Sequence, residues 1–439
     1  MATIDVERTG TSPSLPDGPK LPKAVQTLLF MTARHKFVPR WRQRYGEAFT
    51  IRLSFGGGRN VVIISRPEHI REVFAGAPEG FHAGESNRVL APVMGEHSVL
   101  IQDGEDHKRS RKRLMPAFNG AALRGYGEMM TTLAEKCADV LPVGRPFEMH
   151  RQMNDVTLEI ILRVVFGMTD EHRLAELRPT IRRLVNIGPV AVFGWASPRL
   201  RRYWPWKRNQ GDLNAADALI YKEIAARRTV DDLAERTDVL SRLLVADPDM
   251  ADIELRDHMM TLLLAGHETT ATALAWSFHE LARNPDVLRR AQQAADTGDE
   301  EYLSAVAKEA MRLRPVVLAV GRKLTEDTTV AGMRLPSGTV ISPSIALVHA
   351  DDTLHPAPGD FQPERFIGHG PEAGTWIPFG GGVRRCIGAS FSVQEAAAVL
   401  QAVLSRYDVR PDRERPEPGK MRNITMVPTR GARVILTPR

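Results

Sequence analysis

The stretch from about Ile253 to Arg283, "IELRDHMMTLLLAGHETTATALAWSFHELAR", reads as one continuous helix, with Asp252 as N-cap and Pro285 just past its end. At 1.5 Å per residue it spans roughly 45 Å, the width of a whole domain. Its middle, "MMTLLLAG", is apolar on every side, so the helix should cross a core rather than lie on a surface. "AGHETTAT" then interrupts it with Gly266, Glu268, Thr269 and Thr270. Glycine costs about 1 kcal/mol in a helix interior, and a buried carboxylate costs more unless it is satisfied. A core helix that breaks its own pattern at mid-span generally does so for a functional reason.

The rest of the chain is arranged to suit such a helix. Residues 48–65, "AFTIRLSFGGGRNVVIIS", read as a hairpin around a Gly-rich turn. Helical patterns then run for some two hundred residues. β-rich runs return after Pro315 ("TVAGMRLPSGTVI"), another helix follows Cys386, and the tail "NITMVPTRGARVILTP" reads as a closing hairpin. The expected fold is mainly α with small β sheets fed from both chain ends. Length alone suggests roughly three domains at ~150 residues each. Yet no linker, repeat or low-complexity tract divides the 439 residues, so one domain over 21–439 is expected, after a polar, Pro-rich leader (1–20) read as disordered. Neither a signal peptide nor a membrane span is present near the N-terminus; "LLFM" is far too short.

Only two cysteines occur, which excludes a disulfide framework and a four-thiolate metal site, and points to a reducing, cytoplasmic setting. Cys137, in "LAEKCADVL", reads as structural. Cys386 does not: it stands in "WIPFGGGVRRCIGASFS" at the start of a helix. Helix N-termini and the neighbouring Arg384 and Arg385 favour a thiolate. The glycines allow positive φ or close approach of the backbone to something bulky. Two chemistries fit this setting, a cysteine nucleophile and a thiolate ligand to haem iron. A nucleophile needs a histidine base, and no neighbouring residue is His.

At this point the sequence resembles a known family. "FGGGVRRCIG" matches Phe-x-x-Gly-x-Arg-x-Cys-x-Gly, the haem-binding signature of the cytochrome P-450 superfamily, through Phe379, Gly382, Arg384, Cys386 and Gly388. Three weaker motifs follow the family order: "AGHETT" (Ala265 to Thr270), "EAMR" with Glu309 and Arg312, and "FQPERF" with Arg365. The loop and the polar, soluble N-terminus look most like soluble actinobacterial members. The resemblance implies the family's triangular, α-rich prism, with haem b (iron protoporphyrin IX) between the central helix and the cysteine helix.

It also implies roles. Cys386 is the axial iron ligand, and Ala265, Gly266, Phe379 and Gly388 line the cofactor. Glu268 and Thr269 handle the protons that O₂ activation consumes. His107 and Arg111, four apart in "EDHKRSRKRLMPAF", meet the haem propionates together with Arg322 and Arg384. Glu309, Arg312 and Arg365 form a buried charge network that pins the cysteine loop. The implied reaction is hydroxylation or epoxidation of a small hydrophobic substrate. Electrons would come from a ferredoxin and its NAD(P)H-dependent reductase, and the protein would act as a monomer. A haem-thiolate sensor without turnover is the alternative; a cysteine hydrolase is a more distant one.

The net charge of +6 is compatible with nucleic acid, a membrane surface or an acidic protein. An acidic ferredoxin suits it best, reached by the outward stripes Lys108/Lys112 and Arg109/Arg113 and by Arg385. No nucleic-acid partner is expected. "WASPRLRRYWPWKR" (Trp195 to Arg208) falls near the family's substrate lid, with peripheral membrane contact as the other reading.

Overall fold

The central helix forms and sets the frame. In the computed structural model, which describes residues 12–54, 58–168, 170–185, 202–204, 206–368 and 370–439, the helices that build the site are numbered here in chain order. They are α1 (Lys23–Tyr45), α2 (Pro67–Ala75), α3 (Gly104–Leu114), α4 (Gly120–Asp139), α5 (Met149–Phe166), α6 (Asp252–Leu281), α7 (Glu300–Leu313), α8 (Ile345–His349) and α9 (Ala389–Leu404).

Helix α6 is buried on all sides over most of its length, from Leu255 to Leu263 and from Thr270 to Leu281. Each fully buried Leu, Met or Phe there contributes ~1.5–3 kcal/mol. Asp252 is not its cap. The helix begins on Asp252 itself, Ala251 stands at the N-cap, and the carboxylate accepts from Arg228 Nε at 2.9 Å. There it still favours the positive end of the helix dipole. The glycine at mid-span has a packing cause: a Cβ on Gly266 would lie 2.8 Å from Ile161 Cδ1 of α5. One residue on, Thr157 Oγ1 of α5 donates to His267 O at 3.1 Å, so a neighbouring helix reaches into the α6 ladder.

The largest sheet joins strands near the N-terminus to strands between residues 322 and 343. Strands β1 (Ala48–Leu53) and β2 (Arg59–Ile64) form the expected hairpin, with Ala48 opposite Ile64. β2 then runs parallel to β8 (Val340–Pro343), which carries β5 (Arg322–Leu324) and β3 (Phe81–His82) beyond it. The fold class read from sequence therefore holds.

Two details differ. The C-terminal tail is not one hairpin. β10 (Gly419–Arg422) pairs with β11 (Thr425–Pro428), but β12 (Arg433–Pro438) joins a separate sheet with β9 (Tyr407–Pro411) and β4 (Phe147–Glu148). Gly431 and Ala432, at φ 80° and 52°, turn the chain from one sheet to the other. The leader, moreover, is tied down before residue 20. Ser14 N donates to Arg334 O and Thr50 N to Asp17 O, both at 3.0 Å; residues 1–11 lie outside the described residues.

Candidate functional site

The cysteine loop is shaped from outside by α2. Gly380 and Gly382 take φ of 66° and 65°, which L side chains rarely adopt. A Cβ on Gly381 would lie 2.2 Å from the Phe74 ring, and one on Gly382 would lie 2.0 Å from Phe74 O. These two glycines thus answer to Phe74 rather than to a ligand. Gly388 is different: its φ is −86° and an added Cβ would meet no protein atom within 4 Å, so the protein's own packing does not require a glycine there. The loop closes when Cys386 N donates to Phe379 O at 2.9 Å, three residues before α9 begins. Phe379 is braced edge-on by Trp376, ring centroids 5.8 Å apart.

Cys386 is solvent-accessible, yet burial pushes its thiol pKa up, against the pull of the Gly388 N–H, Arg111 and Arg385. An accessible sulfur that is also desolvated lies in a concave, protein-walled space. The thiolate expected from the arginines and the helix start is therefore not favoured by the protein alone, because desolvation outweighs them. A metal cation at the sulfur would reverse that balance. Cys137 is structural, packed at the main core, with its thiol pushed up to about 12 by burial.

The predicted propionate partners converge. His107 is buried on α3 and lowered to about 3 by desolvation and then by Arg384, Arg111 and Arg322, so all three arginines stand near it. Arg111 feels Cys386 and Arg385. Arg322 is 6% exposed and hydrogen-bonds to the carbonyls of Gly321 (2.9 Å) and Gly381 (3.5 Å). Burial lowers it and Arg384 to about 10. Arg384 donates to Val99 O, Gln102 O and Asp103. Asp103 also accepts the N–H groups of Gly84 and Glu85 at 2.8 and 2.9 Å. One shared carboxylate among this group of cations leaves buried positive charge with room for anions.

On α6, Ala265 is exposed, and Leu264, Gly266 and Thr269 are part-exposed, within an otherwise buried helix. Thr269 Oγ1 donates to Ala265 O at 2.8 Å. Glu268 is buried and turned toward the β10–β11 hairpin. Burial raises it to about 7, against Arg422, whose Nε is 3.3 Å from Oε1, and against the Thr425 hydroxyl. The Arg422 contact lacks hydrogen-bond alignment, and Oε1 accepts no hydrogen bond. No hydrogen bond joins Glu268 to Thr269 among the described residues. The helix is stitched to α9 by Thr270 Oγ1 and Ser392 Oγ at 3.1 Å, which brings the two strongest motifs together. Beside them Glu395 is fully buried, and desolvation raises its pKa well above the carboxylate range, against the Thr270 hydroxyl.

The pinning network is present. Glu309 accepts from Arg312 Nε (2.7 Å) and Nη2 (2.8 Å), from Gln362 N (3.0 Å) and from Arg365 Nε (3.3 Å). Arg312 also donates to the carbonyls of His349, Pro358 and Asp360. His349, at the end of α8, accepts the Ile377 N–H on Nε2 at 2.9 Å. A continuous path thus runs from the network to the segment that carries Phe379 and Cys386. Sequence reading missed His349, Asp103, Arg422 and Phe74. None has a local signal, because each acts through a partner far away in the chain.

Two surface expectations change. Arg113 does not face outward; it pairs with Asp247 and with Glu254 (2.9 Å). Lys108 and Arg109 pair with Glu105 (3.2 Å) and Asp106 (3.1 Å) on the same exposed face. Most of Trp195 to Arg208 lies outside the described residues, although Tyr203 and Trp204 are 65% and 78% exposed.

Comparison with known proteins decides the family. The pattern described as cytochrome P450 matches residues 16–436. The chain belongs to the cytochrome P450 family. A putative cytochrome P450 135A1 of Mycobacterium tuberculosis (strain ATCC 25618 / H37Rv) is 44% identical over 429 residues, 97% of this chain and 95% of that one. A putative cytochrome P450 135B1 of Mycobacterium bovis is 43% identical over 437 residues, 97% and 92% of the two chains. The actinobacterial likeness is thus borne out. Among solved structures, a retinoic acid-bound cyanobacterial CYP120A1 matches with a TM-score of 0.85 at 26% identity, covering 97% of this P450 and all of that chain. The family is one of haem-dependent monooxygenases, which use redox partners and hydrophobic substrates. The residues fit that cofactor: an accessible cysteine in a concave space, buried cations short of anions, and a glycine at 388 that the protein itself does not require. No helix among the described residues is long and apolar enough to cross a membrane.

Proposed function

We propose that this P450 is a haem b monooxygenase that hydroxylates or epoxidises a hydrophobic substrate: R–H + O₂ + two electrons + two protons gives R–OH + water. The observation that carries the reading is the gathering of His107, Arg111, Arg322 and Arg384 beside Cys386, whose helix is joined to the acid–alcohol break of α6 through Thr270 and Ser392. Haem, when bound, supplies O₂ activation. The chain supplies the remaining parts. Cys386 Sγ holds the iron. Arg322, Arg384, His107 and Arg111 hold the two propionates with charge-assisted bonds. Glu309, Arg312 and Arg365 fix the loop. Glu268, held protonated up to about 7 by burial, stores a proton beside Arg422. Thr269 Oγ1, its own hydrogen committed to Ala265 O, presents lone pairs to the space and orders water there.

Electrons come from an acidic ferredoxin served by an NAD(P)H-dependent reductase. Exposed Lys112 on α3 and exposed Arg385 beside the ligand are the docking charges. Segments near 77–103, 315–321 and 422–430 supply substrate walls; of the fourth expected segment, 180–210, most lies outside the described residues. The structural relative is bound to retinoic acid, a largely hydrocarbon molecule with one carboxyl end. The test is the ferrous–CO spectrum. Cys386→Ser is expected to lose the thiolate signature while Cys137→Ser keeps it. A normal thiolate spectrum in the Cys386 variant removes the ligand assignment.

A further inference from the structure

Helix α1 packs Leu29, Phe30, Phe37, Val38, Trp41 and Tyr45 against the core, but its first turns are amphipathic the wrong way round. Its buried residues are Gln26, Thr27 and Trp41. The first two face inward to complete the edge of β1: Arg52 N donates to Gln26 Oε1 and Ser54 N to Thr27 Oγ1, both at 2.8 Å. The opposite face is aliphatic and open to solvent. Leu21, Val25 and Leu28 are 43%, 41% and 58% exposed, with Ala24 between them also exposed. A spacing of three places Val25 and Leu28 on one side of the helix, and Leu21 precedes its first residue by two. A single exposed leucine needs no explanation, but an aliphatic stripe outside polar residues turned inward does. Ile424, 42% exposed at the tip of the β10–β11 hairpin, adjoins the same helix, since Arg34 Nη2 donates to Ile424 O at 3.1 Å.

Charge says what covers this face. Between Asp17 and Glu47 the chain has seven lysines and arginines and no acid, against +6 for the whole protein. Lys20 and Lys23 flank the stripe and are exposed, as are Lys36 and Arg40 farther along the helix. Lysine is depleted at protein–protein interface cores. Lysines around an aliphatic stripe suit a bilayer surface, where the side chains enter the acyl boundary and the ammonium groups reach lipid phosphates. We infer that α1 is a docking face for an anionic lipid bilayer, on which the protein lies without spanning it. An apolar substrate dissolved in lipid would then be concentrated beside the protein; only that last point rests on the monooxygenase reading.

The test is co-sedimentation of the full haem-loaded chain with vesicles of phosphatidylcholine alone or mixed with phosphatidylglycerol, at low and high salt. The expected result is binding to the mixed vesicles that weakens as salt rises. Leu28→Asp with Val25→Asp should reduce it by about tenfold or more, and Lys20→Glu with Lys23→Glu should do the same. Val140→Asp, which alters an apolar residue 74% exposed elsewhere, should leave it unchanged. An unaltered absorption spectrum shows each variant folded. Equal binding to both vesicle types, no binding to either, or an unchanged partition in the Leu28/Val25 variant overturns the inference. So does a variant that changes self-association or ferredoxin-driven reduction while vesicle binding stays as in the wild type, because the face would then belong to a protein.

Discussion

Replacing Glu309 with Gln probes whether a buried charge cluster holds the cysteine loop. Glu309 and Arg312 have side chains 0% exposed. Gln keeps the shape but turns one acceptor oxygen into a donor that confronts Arg312 Nε or Nη2, now 2.7 and 2.8 Å from the carboxylate. It also leaves the Arg312 guanidinium uncompensated in the interior. Removing one partner of such a pair costs ~3–5 kcal/mol, roughly a hundredfold to a few thousandfold in the folding equilibrium. Arg312→Met should cost at least as much. It strips donors from the carbonyls of His349, Pro358 and Asp360, at about 1–3 kcal/mol per orphan. Arg365→Met should cost least, because that side chain is 12% exposed and its contact with Glu309 is 3.3 Å long. Denaturant unfolding, followed by haem absorbance and far-UV ellipticity, gives the three values from midpoint and slope. A cost below about 1 kcal/mol for Glu309→Gln, the worth of a surface pair, would refute the reasoning. So would a series in which Arg365→Met is the most damaging.

Thr269→Ala is expected to consume reduced cofactor and release hydrogen peroxide with little hydroxylated product; unchanged coupling would take the hydroxyl out of the proton path. Glu268 sits at about 7 because burial outweighs Arg422, so it carries its proton below that pH and loses it as pH rises through it. Product formed per cofactor used should therefore fall across that window, while Glu268→Gln, which cannot ionise, gives a low, flat profile; a variant that tracks the wild-type curve overturns the assignment. Lys112→Glu with Arg385→Glu should slow the first reduction by ferredoxin and flatten its salt dependence without loss of haem, because exposed charges steer encounter over a screening length of ~8 Å. A salt series that is flat for the wild type would leave those residues as solvated surface.

What the sequence determined by itself was whatever depends on local pattern. A helix of 30 residues with an apolar middle has to cross a core, and glycines around a cysteine before a helical pattern mark a tight loop leading into a helix. The helix, the β1–β2 hairpin and the glycine-rich cysteine loop were legible for that reason, and so were Glu309 and Arg312, which lie one helical turn apart. Tertiary structure decided everything that depends on distant partners. Gly381 and Gly382 are small because Phe74 lies against them, some three hundred residues earlier in the chain. Arg113 faces inward because Asp247 and Glu254 meet it there. Cys386, for all its arginines, has its thiol pushed up, because desolvation exceeds their pull. The tail splits between two sheets because positive φ at Gly431 and Ala432 redirects it. The aliphatic stripe of α1 became visible only when Gln26 and Thr27 were found facing inward, since composition cannot say which side of a helix a strand edge will claim.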